Sequence, residues 1–151
     1  MEVALETGLL SSRDYRREKP LTPVTAGGVI SGREPEWLDS VERQCQQLTD
    51  LAPNWDSYGA RPVNPITAKA AIEVLRRVVP SSLKVAPVVV PTTAGGLQFE
   101  WNVGTRSLEM EFSGPAQVSI LYCGEDAEWE KDLAADLTPL SQALARIASH
   151  Q

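Results

Sequence analysis

The stretch Gly95 to Phe112, GGLQFEWNVGTRSLEMEF, decides how this chain must fold. Its first half alternates, with Leu97, Phe99 and Trp101 on one side and Gln98, Glu100 and Asn102 on the other. The second half repeats the pattern, setting Leu108, Met110 and Phe112 against Ser107, Glu109 and Glu111. A period of two sustained this long describes strands buried on a single face. Between the halves, Gly104-Thr105 puts glycine first, which suits a two-residue type II′ turn. That turn pairs Val103 with Arg106. Counting outward then sets Trp101 opposite Leu108, Phe99 opposite Met110 and Leu97 opposite Phe112. A slip of one residue would send the whole apolar set into water, so the register is well specified. The same register places Glu100 opposite Glu109 and Gln98 opposite Glu111. Like charges directly opposed cost up to about 1 kcal/mol. The polar face is therefore not chosen for sheet stability alone.

Working outward, Val85–Val90 reads as a short strand, with Pro87 near its start and Pro91 at its end. Proline removes ladder donors, so this strand belongs at an edge. Downstream, a three-residue loop at Gly114-Pro115-Ala116 sets Val118, Ile120 and Tyr122 against Phe112, Met110 and Leu108, whereas a two-residue turn would break the alternation. The acidic segment Glu125–Asp136 reads as a loop, or as a weak helix carrying Trp129, Leu133 and Leu137.

Helices flank this sheet in sequence. One is expected from about Pro35 to Leu51, with Trp37 or Leu38, Val41, Cys45 and Leu48 on its buried stripe. A second starts at Asn64 as N-cap with Pro65 in the first helical position, buries Ala68, Ile72, Leu75 and Val79, and stops at Pro80. Thr138-Pro139 repeats the cap-and-proline signal before a last helix, Leu140 to Ala148. The pattern predicts an α+β fold: a four-stranded antiparallel meander with two N-terminal helices and one C-terminal helix packed on one face. Residues 1–32 read as a flexible leader and 33–150 as a single domain. The leader's prolines and glycines leave room for a short strand or helix around Val3–Leu10 and for Val29-Ile30 to dock.

The 151 residues suffice for one domain with a buried core. A formal net charge of −6 argues against a nucleic-acid surface, which needs clustered Lys and Arg, and favours a basic partner. Cys45 and Cys123 lack any C-x-x-C spacing and read as free thiols in a reducing compartment. There is neither a signal-peptide pattern nor an apolar run of membrane-spanning length, so the expected place is the cytoplasm, with no membrane contact.

Chemistry-bearing motifs are sparse. The single histidine, His150, lies one residue from the end, and no Walker loop, G-x-G-x-x-G or H-E-x-x-H is present, so no cofactor is expected. The carboxylates of Glu100, Glu109 and Glu111 share a face, and Asp56 would join them if its loop folded over the sheet. Such a set suits Mg²⁺ or an acid/base pair, but a nuclease-type hairpin usually adds a lysine near the second acid, and Glu109-Met110-Glu111 has none. The loop APNWDSYGARPVNP carries Trp55 and Tyr58, which serve either as stacking platforms for a sugar or base or as anchors fixing the loop. In the anchoring case Asp56 is a turn cap and not an acid.

Asn54-Trp55-Asp56-Ser57-Tyr58-Gly59-Ala60, then Gly95-Gly96-Leu97-Gln98-Phe99-Glu100-Trp101 and Leu108-Glu109-Met110-Glu111, resembles a group of small uncharacterised bacterial proteins. Their pattern runs N-W-D-x-Y-G-A, G-G-hydrophobic-Q-hydrophobic-E-W and L-E-hydrophobic-E, and Ser57 stands where glycine is often found. The resemblance spans about 53–112 and implies no activity. The reading favoured here is a non-catalytic interaction module, antitoxin- or immunity-like in one form. It presents Glu100, Glu109, Glu111 and Gln98, with Trp55, Asp56 and Tyr58, to a basic partner protein. The alternative is a small metal-dependent hydrolase or nuclease-like enzyme built on the same carboxylates.

Overall fold

The computed structural model describes residues 34–151. The leader expected over 1–32 lies outside the described residues.

At the hairpin, Gly104 takes φ +60° while Thr105 has no positive φ, the pattern of a type II′ turn. It joins β2 (Leu97–Val103) to β3 (Arg106–Gly114), in the register counted from sequence: Val103 to Arg106, Trp101 to Leu108, Phe99 to Met110, Leu97 to Phe112. Upstream is β1 (Val88–Pro91); downstream are β4 (Gln117–Cys123) and β5 (Glu128–Leu133). All neighbours are antiparallel and the sheet order is β1-β2-β3-β4-β5.

The sheet thus has five strands, not four. Glu128–Leu133 is neither loop nor helix: Trp129, Lys131 and Leu133 face Tyr122, Ile120 and Val118 of β4. Its inner face carries one charged side chain and its outer face is entirely acidic, which hid the period of two. Both traits suit an edge strand, where charge discourages pairing with other chains. A four-residue connection, closed by the Gly124 N–H donating to the Ala127 carbonyl at 2.8 Å, turns β4 into β5.

Between β3 and β4 the expected pairs form, Phe112 with Val118, Met110 with Ile120 and Leu108 with Tyr122. The means differ from the three-residue loop. Gly114 pairs with Gln117 across Pro115-Ala116, and the extra residue, Ser113, is taken up as a bulge. β1 is an edge strand, as expected, but it starts at Val88, after Pro87, and the Val85 carbonyl accepts instead from the Trp101 indole at 3.0 Å. The β1–β2 turn needs both its glycines. Gly95 takes φ +93°, and a Cβ on Gly96 would overlap the Phe112 carbonyl oxygen.

Helix α1 (Leu38–Thr49) begins later than Pro35, after a turn in which the Leu38 N–H donates to the Pro35 carbonyl, and no side chain caps it. Leu38, Val41 and Cys45 are its buried stripe, as expected. Helix α2 (Pro65–Val78) is capped by Asn64, whose Oδ1 accepts from the N–H groups of Ile66 (2.8 Å) and Thr67 (3.3 Å). Helix α3 (Thr138–Ala148) starts two residues early for the sequence reading, and Thr138 is not its cap. The Thr138 N–H donates at 3.0 Å to the Asp136 carboxylate.

The three helices and the inner sheet face share one core, with Trp101, Tyr122, Phe99 and Phe112 its largest fully buried side chains. Phe99 meets Phe112 edge to face at 6.1 Å, and Trp101 meets Trp37 of the α1 approach at 6.3 Å. Burying one such side chain is worth about 1.5–3 kcal/mol. This outweighs the at most ~1 kcal/mol of repulsion on the opposite face, so the apolar side sets the register. Arg76 ties α2 to α1 and the residues just before it, through Glu42 and Glu34 (2.6 Å).

Candidate functional site

Two features carry the residues singled out from sequence: the outer sheet face and the loop before α2. On the outer face Glu100 stands opposite Glu109 and Gln98 opposite Glu111. The Gln98 amide donates to a Glu100 oxygen at 2.7 Å, holding that carboxylate along β2. Continuing across the sheet, Glu109 neighbours Leu121, which neighbours Glu130; Glu111 neighbours Ser119, which neighbours Asp132. Strand β5 therefore adds Glu128, Glu130 and Asp132 to the three glutamates found from sequence. Those three had no signal while their segment lacked a strand assignment. Once the segment is read as a strand, alternation alone puts them on this face.

The strand positions of this face hold no Lys or Arg among the described residues. The cations nearest in sequence are engaged elsewhere. Arg106 donates to the Arg146 carbonyl at the end of α3 (3.2 Å), where a cation meets the negative end of the helix dipole. Lys84 reaches the Ser81 carbonyl at 3.4 Å. Glu100, Glu109 and Glu111 form no ion pair among the described residues. Cys123 shares the face; its thiol donates to Glu128 at 3.3 Å, and that bond, with burial, raises its pKa. Cys45, in the core, has its pKa pushed up to about 12 by burial and by Glu42, which makes it a packing residue and not a nucleophile.

The loop closes on itself. The Asn54 N–H donates to the Ala60 carbonyl at 2.7 Å, and Asn54 Oδ1 accepts from the Gly59 N–H at 2.6 Å. Asp56 Oδ1 accepts from the N–H groups of Tyr58 (2.8 Å) and Ala60 (3.0 Å), and these bonds hold its pKa below the usual carboxylate value. The Trp55 indole donates to the Arg61 carbonyl at 2.7 Å. Asp56 is thus a turn cap, and Trp55 an anchor. Tyr58 is not an anchor: its side chain stands 92% exposed at the tip. Asn54 and Ser57 take φ of +67° and +68°; asparagine enters this left-handed region readily, whereas for Ser57 it costs about 1–2 kcal/mol. A glycine in place of Ser57 would avoid that cost. Two further bonds, Arg61 N–H to Thr93 (2.9 Å) and Asn64 N–H to Gly95 (2.9 Å), fasten the loop's end to the β1–β2 turn.

Among the described residues no three Asp, Glu, His or Cys side chains form a group that could hold a metal ion, and Asp56 is turned onto its own loop. No described helix is long and apolar enough to cross a membrane. No family model matches the chain, and neither a curated protein nor a solved structure matches it.

Proposed function

We propose that this chain is a non-catalytic protein-interaction module, binding a basic partner through the outer face of its sheet. The observation that supports the reading is the segregation of charge. Glu100, Glu109, Glu111, Glu128, Glu130 and Asp132 share one face, and Lys131, the only cation within β5, points to the other. A sheet under selection for stability alone would intersperse opposite charges across its strands. A partner's Lys or Arg side chains would relieve the Glu100–Glu109 repulsion, speed encounter and make the complex sensitive to salt.

The test is capture of a partner from the native host by the full chain, compared with a Glu100→Lys/Glu109→Lys variant. The variant is expected to lose the partner while melting as a folded domain. Undiminished capture by the folded variant refutes the acidic-face reading. Genes adjacent to this one in the host are the first to test as partners.

A further inference from the structure

We propose that Pro87 and Pro91 keep the β1 edge of the sheet from pairing with a second copy of this chain, by withholding the N–H groups that such pairing needs. One hydrogen bond fixes which way each backbone group of β1 points. The Thr92 N–H donates to the Gly96 carbonyl at 3.0 Å across the β1–β2 turn. Bonded and non-bonded pairs alternate along an antiparallel ladder. Val90–Gln98 and Val88–Glu100 are therefore bonded pairs, while Val89–Phe99 and Pro91–Leu97 are not. The Gly104 turn gives the same phase from the other side. Closing on Val103–Arg106, it turns the backbone groups of Leu97, Phe99 and Trp101 toward β3 and leaves those of Gln98 and Glu100 for β1. The backbone groups of Val89 and Pro91 thus point away from the sheet. Pro87 is the previous member of that series, and it is buried, as the alternation requires of an inward side chain. Thr93 is the next member, and its carbonyl accepts the Arg61 N–H at 2.9 Å, which ends the open edge.

Between Pro87 and Pro91 the edge offers the carbonyls of Pro87, Val89 and Pro91 but only the N–H of Val89. Its side chains would otherwise invite strand addition: Val88, Val89 and Val90 are uncharged strand formers, and Val88 is exposed. A second copy laid antiparallel about Val89 would set Val89 against Val89 and each Pro87 against Pro91 of the other copy. Ordinary residues exchange two bonds at each such pair, so three pairs would make six. The prolines remove four of them and leave four carbonyls unpaired in the seam, where lost hydration is not repaid. The opposite edge, β5, is shut by charge instead, with Glu128, Glu130, Lys131 and Asp132 among its 6 residues. An opened β1 edge would therefore meet its like in a second copy and give a closed dimer, not a filament. The device is independent of the acidic face.

The experiment compares the full chain with Pro87→Val/Pro91→Val by sedimentation and by amide hydrogen exchange. In the unaltered chain the Val89 amide is expected to exchange much faster than those of Val88 and Val90 at every protein concentration. Each of the four restored bonds is worth roughly a factor of two or more. The double variant should accordingly dimerise about tenfold more tightly or better, and its Val89 amide should become protected as concentration rises. Pro87→Ala/Pro91→Ala restores the same N–H groups without adding apolar surface and should dimerise as well. Where loss of the buried Pro87 ring unfolds the pair, Pro91→Val alone restores two bonds and should still tighten association about fourfold. Concentration-dependent protection of Val89 in the unaltered chain overturns the proposal. Folded variants that gain no self-association overturn it too, as does a dimer in which Val89 stays unprotected. Association of the valine variants without the alanine one would assign the effect to side chains and also overturn it.

Discussion

Ser57 and Asp56 show at single residues what the loop costs and what holds it. Ser57 sits in the left-handed region at φ +68°, where a Cβ is unfavourable. Ser57→Gly removes that strain but adds disorder to the unfolded chain, a partial offset. The expected net gain is about 0.5 kcal/mol, read as a higher denaturation midpoint; a loss would mean the serine hydroxyl contributes more than its backbone costs. Asp56 makes a pH prediction. Its folded pKa lies below the unfolded value because the Tyr58 and Ala60 N–H groups stabilise the carboxylate. The stabilisation is complete above the unfolded pKa of about 3.9 and is lost as pH falls through the lowered folded value. Amide resonances of Tyr58 and Ala60 should shift and broaden in acid before the core melts. Asp56→Asn, which keeps an acceptor oxygen, should remove the pH dependence of that opening.

Among the elements, β4 depends on a single inserted residue. Ser113 is the bulge that restores Val118, Ile120 and Tyr122 to the buried face after a turn that would otherwise invert them. Deleting Ser113 leaves either a strained turn or a strand with its apolar residues in solvent. The variant is expected to lose more than about 3 kcal/mol, since several buried side chains would each forfeit ~1.5–3 kcal/mol, and to be largely unfolded by circular dichroism. A near-native melt would show that the turn reorganises to absorb the deletion. β5 is held differently: Trp129 stacks on Tyr122 with ring centres 5.5 Å apart, and the Lys131 ammonium lies 5.8 Å from the Trp129 ring centre. An inward lysine on an edge strand both covers that ring and discourages further strand addition.

The described domain as a whole separates an apolar face, buried under three helices, from a carboxylate face without cations at its strand positions. If the carboxylate face serves binding, relieving its repulsion should stabilise the isolated protein while harming its function. Glu109→Lys, opposite Glu100, is expected to raise stability by about 0.5–1 kcal/mol at low salt, shrinking as salt screens the pair. Thermal melts at two ionic strengths check this. Unchanged stability in both would mean that solvent already screens Glu100 from Glu109 and that the facing charges cost nothing.

What the sequence determined by itself was the local periodic order. Alternation over Leu97–Phe112 settled the hairpin and its turn, and Asn64-Pro65 settled the start of α2, because strand period and helix caps are written in neighbouring residues. The same alternation placed Glu100 against Glu109. Tertiary structure alone decided whatever depends on distant partners. EWEKDL became a strand because Tyr122 offered Trp129 a ring to stack on and β4 offered a free edge. Arg76 is held half-buried by Glu34, just before α1, and by Glu42 within it, partners that the spacing of α2 does not show. Tyr58 was pushed outward because Asn54, Trp55 and Asp56 found their partners within the loop, a closure that spacing does not announce. Periodicity reports which way a side chain points; only the folded chain determines what it meets there.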